Sequence, residues 1–199
     1  MIAFGGVVFL CCAGLENGKV IGSFLFSLGL LTVVARGFAL YTGKIGYLDF
    51  SSPTPKTPPT DFRQSPMYFP IIVAGNFVGT ALVALALRAT RSFNGLQPVL
   101  DSMCAAKLSD SPLSVFLLAC GCGIMMFLAV DNYRKTKSWL FVVLPVMVFI
   151  LCGFEHCVAN MFYFWAADCW SVKTFGYLGV MILGNGVGAY MFRRLSQKL

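Results

Sequence analysis

Six long apolar runs divide this chain, and two of them are longer than any straight helix needs to cross a bilayer. They are Met1–Leu15, Val20–Phe50, Met67–Ala89, Leu113–Val130, Trp139–Ala167 and Phe175–Phe192. A spanning helix takes roughly 20 mostly apolar residues. In lipid a segment must satisfy its own backbone, which makes helices the economical form. Only 12% of the residues are charged and 58% are hydrophobic, well above the roughly 45–50% apolar share of soluble domains. The expected fold is an all-α membrane protein with six transmembrane helices, forming one transmembrane domain over residues 1–199.

The first run is short for a span and begins inside apolar sequence, which points to an N-terminally truncated first helix. Met1 opens without a basic leader, so no cleavable signal peptide is expected. The second and fifth runs carry polar residues midway, and this predicts interrupted helices. Broken backbone is tolerated at membrane depth only where it is buried in protein or lines a cavity. Residues 51–66, rich in Pro, Ser and Thr, read as an exposed loop.

Basic residues set the orientation. Lys44, Lys56, Arg63, Arg134, Lys135, Lys137, Arg193, Arg194 and Lys198 share a side with the C-terminus, whereas Lys19, Arg88, Arg91, Lys107 and Lys173 fall opposite. The excess places the C-terminus and the 51–66 loop in the cytoplasm. An even number of spans brings the N-terminus to the same side, in a multi-pass protein of the cell membrane. The net charge of +7 forms no stripe, so no nucleic-acid partner is expected. Eight cysteines give no disulfide framework. Cys11, Cys12, Cys120, Cys122 and Cys152 lie in apolar runs, where cysteine acts as a small hydrophobe. Cys120-Gly121-Cys122 lacks zinc or thioredoxin spacing, and no cofactor or metal is expected.

An internal repeat accompanies the two long runs. Gly37-Phe38 and Gly153-Phe154 sit at their expected breaks, and Asn76-Phe77-Val78-Gly79 is echoed by Asn185-Gly186-Val187-Gly188. Three spans followed by three more place the halves in opposite orientation, the inverted-repeat plan of many transporters.

Chemistry concentrates at the second break. His156, the only histidine in the chain, follows Glu155 inside an apolar run. Ionisable groups at bilayer depth usually face a protein interior or an aqueous path. Glu155 is suited to tie down freed backbone, and His156 to meet whatever passes. Thr42 could reach the imidazole from the opposite half or bond back to its own helix. Two other classes compete. An aquaporin-type channel for neutral solutes would need Asn-Pro-Ala half-helices, which are absent from the sequence, and a filter arginine, for which Arg36 is a candidate. A metal or redox protein could use Cys152, His156 and Cys157, whose sulfur and imidazole suit zinc or copper.

The stretch Gly153–Phe162 resembles the signature of the formate/nitrite transporter family, and the resemblance runs over nearly the whole chain. Phe26-Ser27-Leu28-Gly29-Leu30 with Leu40-Tyr41-Thr42-Gly43 is similar to that family's interrupted second helix. Lys107 and the segment ending Leu128-Ala129-Val130 resemble its periplasmic lysine and fourth helix, and Gly184-Asn185 its sixth. The resemblance implies an aquaporin-like homopentamer with one pore per subunit, passing small monovalent weak-acid anions such as formate, nitrite, lactate or hydrosulfide. His156 would be the central histidine and Thr42 its partner, with Glu155 and Asn160 of the same motif along the pathway. Phe26, Leu30, Leu40 and Phe149 would form the constrictions, and Lys107 would draw anions into the outer vestibule. On the residues alone those four apolar side chains read as ordinary helix packing.

The chain departs from the family pattern at Cys122-Gly123, where a polar residue is usual, at Ala39, where an acid is usual, and at Arg36. The family's N-terminal cytoplasmic helix and the first half of its first span are absent. Gly123 and Arg36 together are expected to widen the filter. A bare anion in an apolar constriction is strongly disfavoured, so the expected mechanism joins a proton to the anion near His156 and passes the neutral acid.

Overall fold

The computed structural model describes residues 1–48 and 68–197, and among them it contains helices and no strand. The helices are α1 (Ile2–Cys12), α2 (Gly18–Arg36), α3 (Tyr41–Lys44), α4 (Tyr68–Arg88), α5 (Phe93–Ser109), α6 (Pro112–Thr136), α7 (Leu140–Leu151), α8 (Cys157–Ala167) and α9 (Val172–Ser196). A 3₁₀ turn, Ile45–Tyr47, follows α3. The expected loop at 51–66, with Lys56 and Arg63, lies outside the described residues, as does Lys198.

Local chemistry marks the helix starts. Ser111 Oγ accepts the Ser114 N–H at 3.2 Å ahead of Pro112 in the first turn of α6. Ser171 Oγ accepts the Thr174 N–H at 3.1 Å at the head of α9. Each cap satisfies one of the donors a helix start leaves open. By length and composition α2, α4, α6 and α9 are long and apolar enough to cross a membrane, while α1, α7 and α8 are shorter apolar helices. Their outer faces present large apolar side chains such as Leu82, Leu113, Leu117 and Leu183, all more than half exposed. A surface this apolar suits lipid and not water.

Helix α5 is an element the apolar runs did not reveal. Asn94, Gln97, Asp101 and Lys107 hold its hydropathy down, yet Leu96, Leu100 and Cys104 turn inward and are buried. It packs on α8, and this places Lys107 at the edge of the interior.

The tightest helix pair is α6 with α9, where small residues let backbones meet. A Cβ on Gly184 would stand 2.6 Å from Ala119 Cβ and 2.7 Å from Phe116 O. A Cβ on Gly188 would collide with the Cys120 carbonyl. Gly123 belongs to this seam: a Cβ there would run into the Asn185 carbonyl and stand 3.0 Å from Ala189 N. The expectation that Gly123 leaves open space beside the filter is therefore corrected. Its missing side chain is filled by the α9 backbone. Arg36 is exposed at the end of α2 and has no hydrogen bond or ion pair with another described residue.

Candidate functional site

The site is built on two gaps between helices, and the two have one backbone plan. Helix α2 ends on Gly37 at φ 69° and α7 runs out at Gly153 at φ 71°, a left-handed conformation that glycine adopts without penalty. The following residue folds back in each case: Phe38 N–H donates to Val33 O at 2.9 Å, and Phe154 N–H to Phe149 O at 2.8 Å. This is the bond pattern of a Schellman helix end. Three residues later a new helix starts, with Leu40 capping α3 and His156 capping α8, both in extended backbone.

An asparagine clasps each gap. Asn76 Oδ1 accepts the Tyr41 N–H at 3.0 Å, and its Nδ2 donates to Ala39 O at 3.1 Å. Asn185 Oδ1 accepts the Cys157 N–H at 2.9 Å, and its Nδ2 donates to Glu155 O and Ala119 O, each at 2.8 Å. The pair Asn76 and Asn185, noted in the sequence as a repeat, thus has one task in both halves. It supplies partners for backbone groups that the gaps free from helical bonds.

His156 is oriented from both sides. Its Nδ1 accepts the Ala159 N–H at 3.0 Å, which caps α8. A backbone N–H can only donate, so Nδ1 carries the lone pair and the ring hydrogen sits on Nε2. Nε2 lies 2.9 Å from Thr42 Oγ1 and donates to it. The Thr42 hydroxyl hydrogen then has no acceptor among the described residues, and Thr42 itself is buried. Phe149 stacks on the imidazole with centroids 5.7 Å apart, and Phe26 meets Phe149 edge-on at 5.9 Å. A second proton could enter only at Nδ1, and that would displace the helix cap.

Glu155 does not tie down the freed backbone as expected, since Asn185 holds that role. The Glu155 carboxylate instead accepts Lys107 Nζ and Asn160 Nδ2, each at 2.6 Å on Oε2. The Lys107 and Glu155 side chains are 16% and 6% exposed, so this is a nearly buried ion pair and not a solvated surface contact. Lys107 is therefore committed to a partner while still lining a cavity.

Two cavities lie on opposite sides of the apolar centre. One, of about 210 Å³, is lined by Lys19, Phe26, Lys107, Phe149, His156 and Asn160 among others. The other, of about 290 Å³, is lined by Leu40, Lys44, Arg134 and Lys137 among others. No carboxylate lines either one among the described residues. Phe26 and Phe149 line the first and Leu40 the second, and these three with Leu30 are buried at 3% exposure or less. The structure brings Thr42, His156, Phe26 and Phe149 together, and ties Lys107, Glu155 and Asn160 into one chain beside them. Leu30 lies deeper, fully buried, and lines neither cavity.

Sequence reasoning missed Lys19, whose Nζ donates to Leu151 O at 3.0 Å at the open end of α7. A lone cation at the head of a span reads equally well as an interface anchor, so nothing in its neighbourhood marked it. Tyr41 was also missed; its hydroxyl donates to Ile182 O at 3.0 Å and ties α3 to α9.

The chain is 31% identical over 153 residues to the formate channel FocA of Haemophilus influenzae, a match covering 72% of this chain and 52% of the relative. It is 29% identical over 188 residues to the uncharacterized transporter YrhG of Bacillus subtilis, covering 87% of this chain and 68% of the relative. The chain thus spans about half the length of the first of these. A solved pentameric formate channel with formate bound superposes with a TM-score of 0.81 at 25% identity, over 99% of this chain and 91% of that one. An ion channel of the same family gives 0.82 at 23% identity, covering 99% and 84%, and speaks to the fold alone. The model of the formate/nitrite transporter family matches residues 1–197. The chain belongs to the formate/nitrite transporter family, whose members are multi-pass membrane transporters and channels and not enzymes.

Proposed function

We propose that this protein passes small monovalent weak-acid anions (formate, nitrite, lactate or hydrosulfide) through a pore in each subunit of a homopentamer in the cell membrane. The observation that carries the reading is the Thr42 hydroxyl, which accepts from His156 at 2.9 Å and keeps its own hydrogen for a permeant between two cation-lined cavities. In this reading six spans form the protomer: α1, α2 with α3, α4, α6, α7 with α8, and α9. The two gaps are the interrupted spans, α5 lies on the outer side, and both termini face the cytoplasm.

The mechanism follows from the cost of charge. Lys19 and Lys107 on one side, and Lys44, Arg134 and Lys137 on the other, raise the local concentration of anions at both mouths. Phe26, Leu30, Leu40 and Phe149 form the constrictions, where an ion would lose its water without replacement. Hydrophobic rings of this kind also exclude hydrated cations. The anion therefore takes up a proton before the constriction and crosses as the neutral acid. Because Nδ1 of His156 is held by the α8 cap, the proton comes from the cavity side and not from the ring. His156 sets the direction of the Thr42 hydroxyl, and Glu155 with Asn160 holds Lys107 at the cavity wall.

The test is flux into proteoliposomes with a panel of weak acids at several pH values. Flux of at least one of them above empty vesicles, accompanied by a proton and rising as external pH falls, is the expected result. No flux above empty vesicles for any of the panel at any pH overturns the reading. A monomeric or dimeric mass by native mass spectrometry would remove the pentamer.

A further inference from the structure

We propose that Cys104 and Cys169 form an oxidisable dithiol, closing to a disulfide that ties α5 to the turn between α8 and α9. Both cysteines lie outside the six apolar runs, unlike those that serve as small hydrophobes within them. The fold brings them to one place. Cys104 Sγ donates to Tyr163 O at 3.7 Å and Cys169 Sγ to Phe164 O at 3.9 Å, carbonyls of consecutive residues on α8. Each thiol also perturbs the titration of the other, as near neighbours do.

Both sulfurs hang from anchored backbone. Cys169 N–H donates to Phe164 O at 3.3 Å, and Thr174 Oγ1 donates to Cys169 O at 2.6 Å. Asp168, next in the turn, pairs with Arg88 at 3.1 Å. Cys104 sits on the buried face of α5, 2% exposed, while Cys169 is half-buried. Closing the bond requires the two Cα atoms to lie within about 7 Å of each other, the geometric condition that most cysteine pairs fail.

The unequal exposure sets the order of steps. A disulfide RS–SR, as oxidised glutathione or an oxidised dithiol protein, is the oxidant. The Cys169 thiolate attacks one of its sulfurs and expels RS⁻, leaving a mixed disulfide on Cys169. The Cys104 thiolate then attacks the Cys169 sulfur, forms the new bond and expels the second RS⁻. The two cysteine protons end on the released thiolates as two RSH, and the two electrons taken from the protein reduce the oxidant. Burial holds both thiols above the usual thiol range, so uncatalysed exchange calls for mildly alkaline pH. Lys107 lies one helical turn beyond Cys104 on α5, so the bond fixes the helix that carries the partner of Glu155.

The test is peptide mapping of the purified full chain after incubation with oxidised glutathione at mildly alkaline pH. Remaining thiols are blocked with iodoacetamide and the protein is digested without reduction. The expected result is a cross-linked peptide containing Cys104 and Cys169, two hydrogens lighter than its separate parts and released by dithiothreitol. Cys169→Ser and, separately, Cys104→Ala should each remove that peptide. The proposal is overturned if both cysteines are recovered as alkylated thiols, if glutathione stays on Cys169, or if either residue links elsewhere, for example to Cys157.

Discussion

The gap after α2 and the gap after α7 share each backbone step: a left-handed glycine, a phenylalanine folded back on the helix, a new helix start and a clasping asparagine. They part at two side chains. Ala39 and Leu40 fill the first gap, and Glu155 and His156 fill the equivalent places in the second. The surroundings differ in step with that change. Asn185 is fully buried and makes three bonds, whereas Asn76 is half-buried and makes two. One scaffold thus presents apolar side chains on one side and an oriented polar group on the other. Repeat symmetry positions the backbone, and departure from symmetry supplies the chemistry.

The largest expected effect falls on the polar half. Lys107→Met leaves the Glu155 carboxylate buried and uncompensated, which costs about 3–5 kcal/mol. Thermal unfolding in detergent should show a large loss, and Lys107→Met with Glu155→Gln should recover most of it. A double variant no more stable than the single would show that the pair is not the source of the cost.

Next comes the clasp itself. Asn185→Ala strands a backbone N–H and two carbonyls in full burial, for about 2–3 kcal/mol, while Asn76→Ala costs about 1 kcal/mol because water can reach part of its gap. Equal losses in the same unfolding assay would break the contrast between the halves.

A smaller effect follows at the α8 start. His156→Phe loses the cap on Ala159 N–H, at about 1 kcal/mol, whereas His156→Asn keeps a good capping residue and should unfold near the parent. The two variants exchanging order would mean that Nδ1 does not cap the helix.

The subtlest comparison is in transport. If the proton joins on the cavity side, His156→Asn should lower flux by the loss of orientation yet keep the shape of the pH profile. That shape follows the neutral-acid fraction, which falls about tenfold per pH unit above the permeant's own pKa. A flattened profile in proteoliposomes would make the histidine itself the proton relay.

Much of this was legible in the residues, for reasons specific to lipid. The spans show as apolar runs because an apolar outer face leaves no room for a 3.6-residue polar stripe, and the gaps show because Val20–Phe50 and Trp139–Ala167 overrun a bilayer's thickness. Glu155 and His156 stood out by contrast with their neighbours. What stayed hidden depends on distance and not on composition. Helix α5 is amphipathic, with polar residues interrupting its apolar ones, so hydropathy passed over it. The exchange of roles between Glu155 and Asn185 turns on which amide reaches the gap, and Asn185 comes from another helix. Gly123 looked like an absence of polarity and is a point of contact, because only the crossing of α6 and α9 says what would fill its place.

If the proposed constrictions separate the two cation-lined cavities, the arrangement has an electrical consequence. The membrane voltage drops mainly across the least watery stretch, and moving one charge through it involves about 2.3 kcal/mol per 100 mV. A permeant that crosses that stretch as a neutral acid does no work against the voltage. On the proposed reading, a cell carrying this pore can shed or gather an acid down its own gradient without discharging the potential that powers its other transporters.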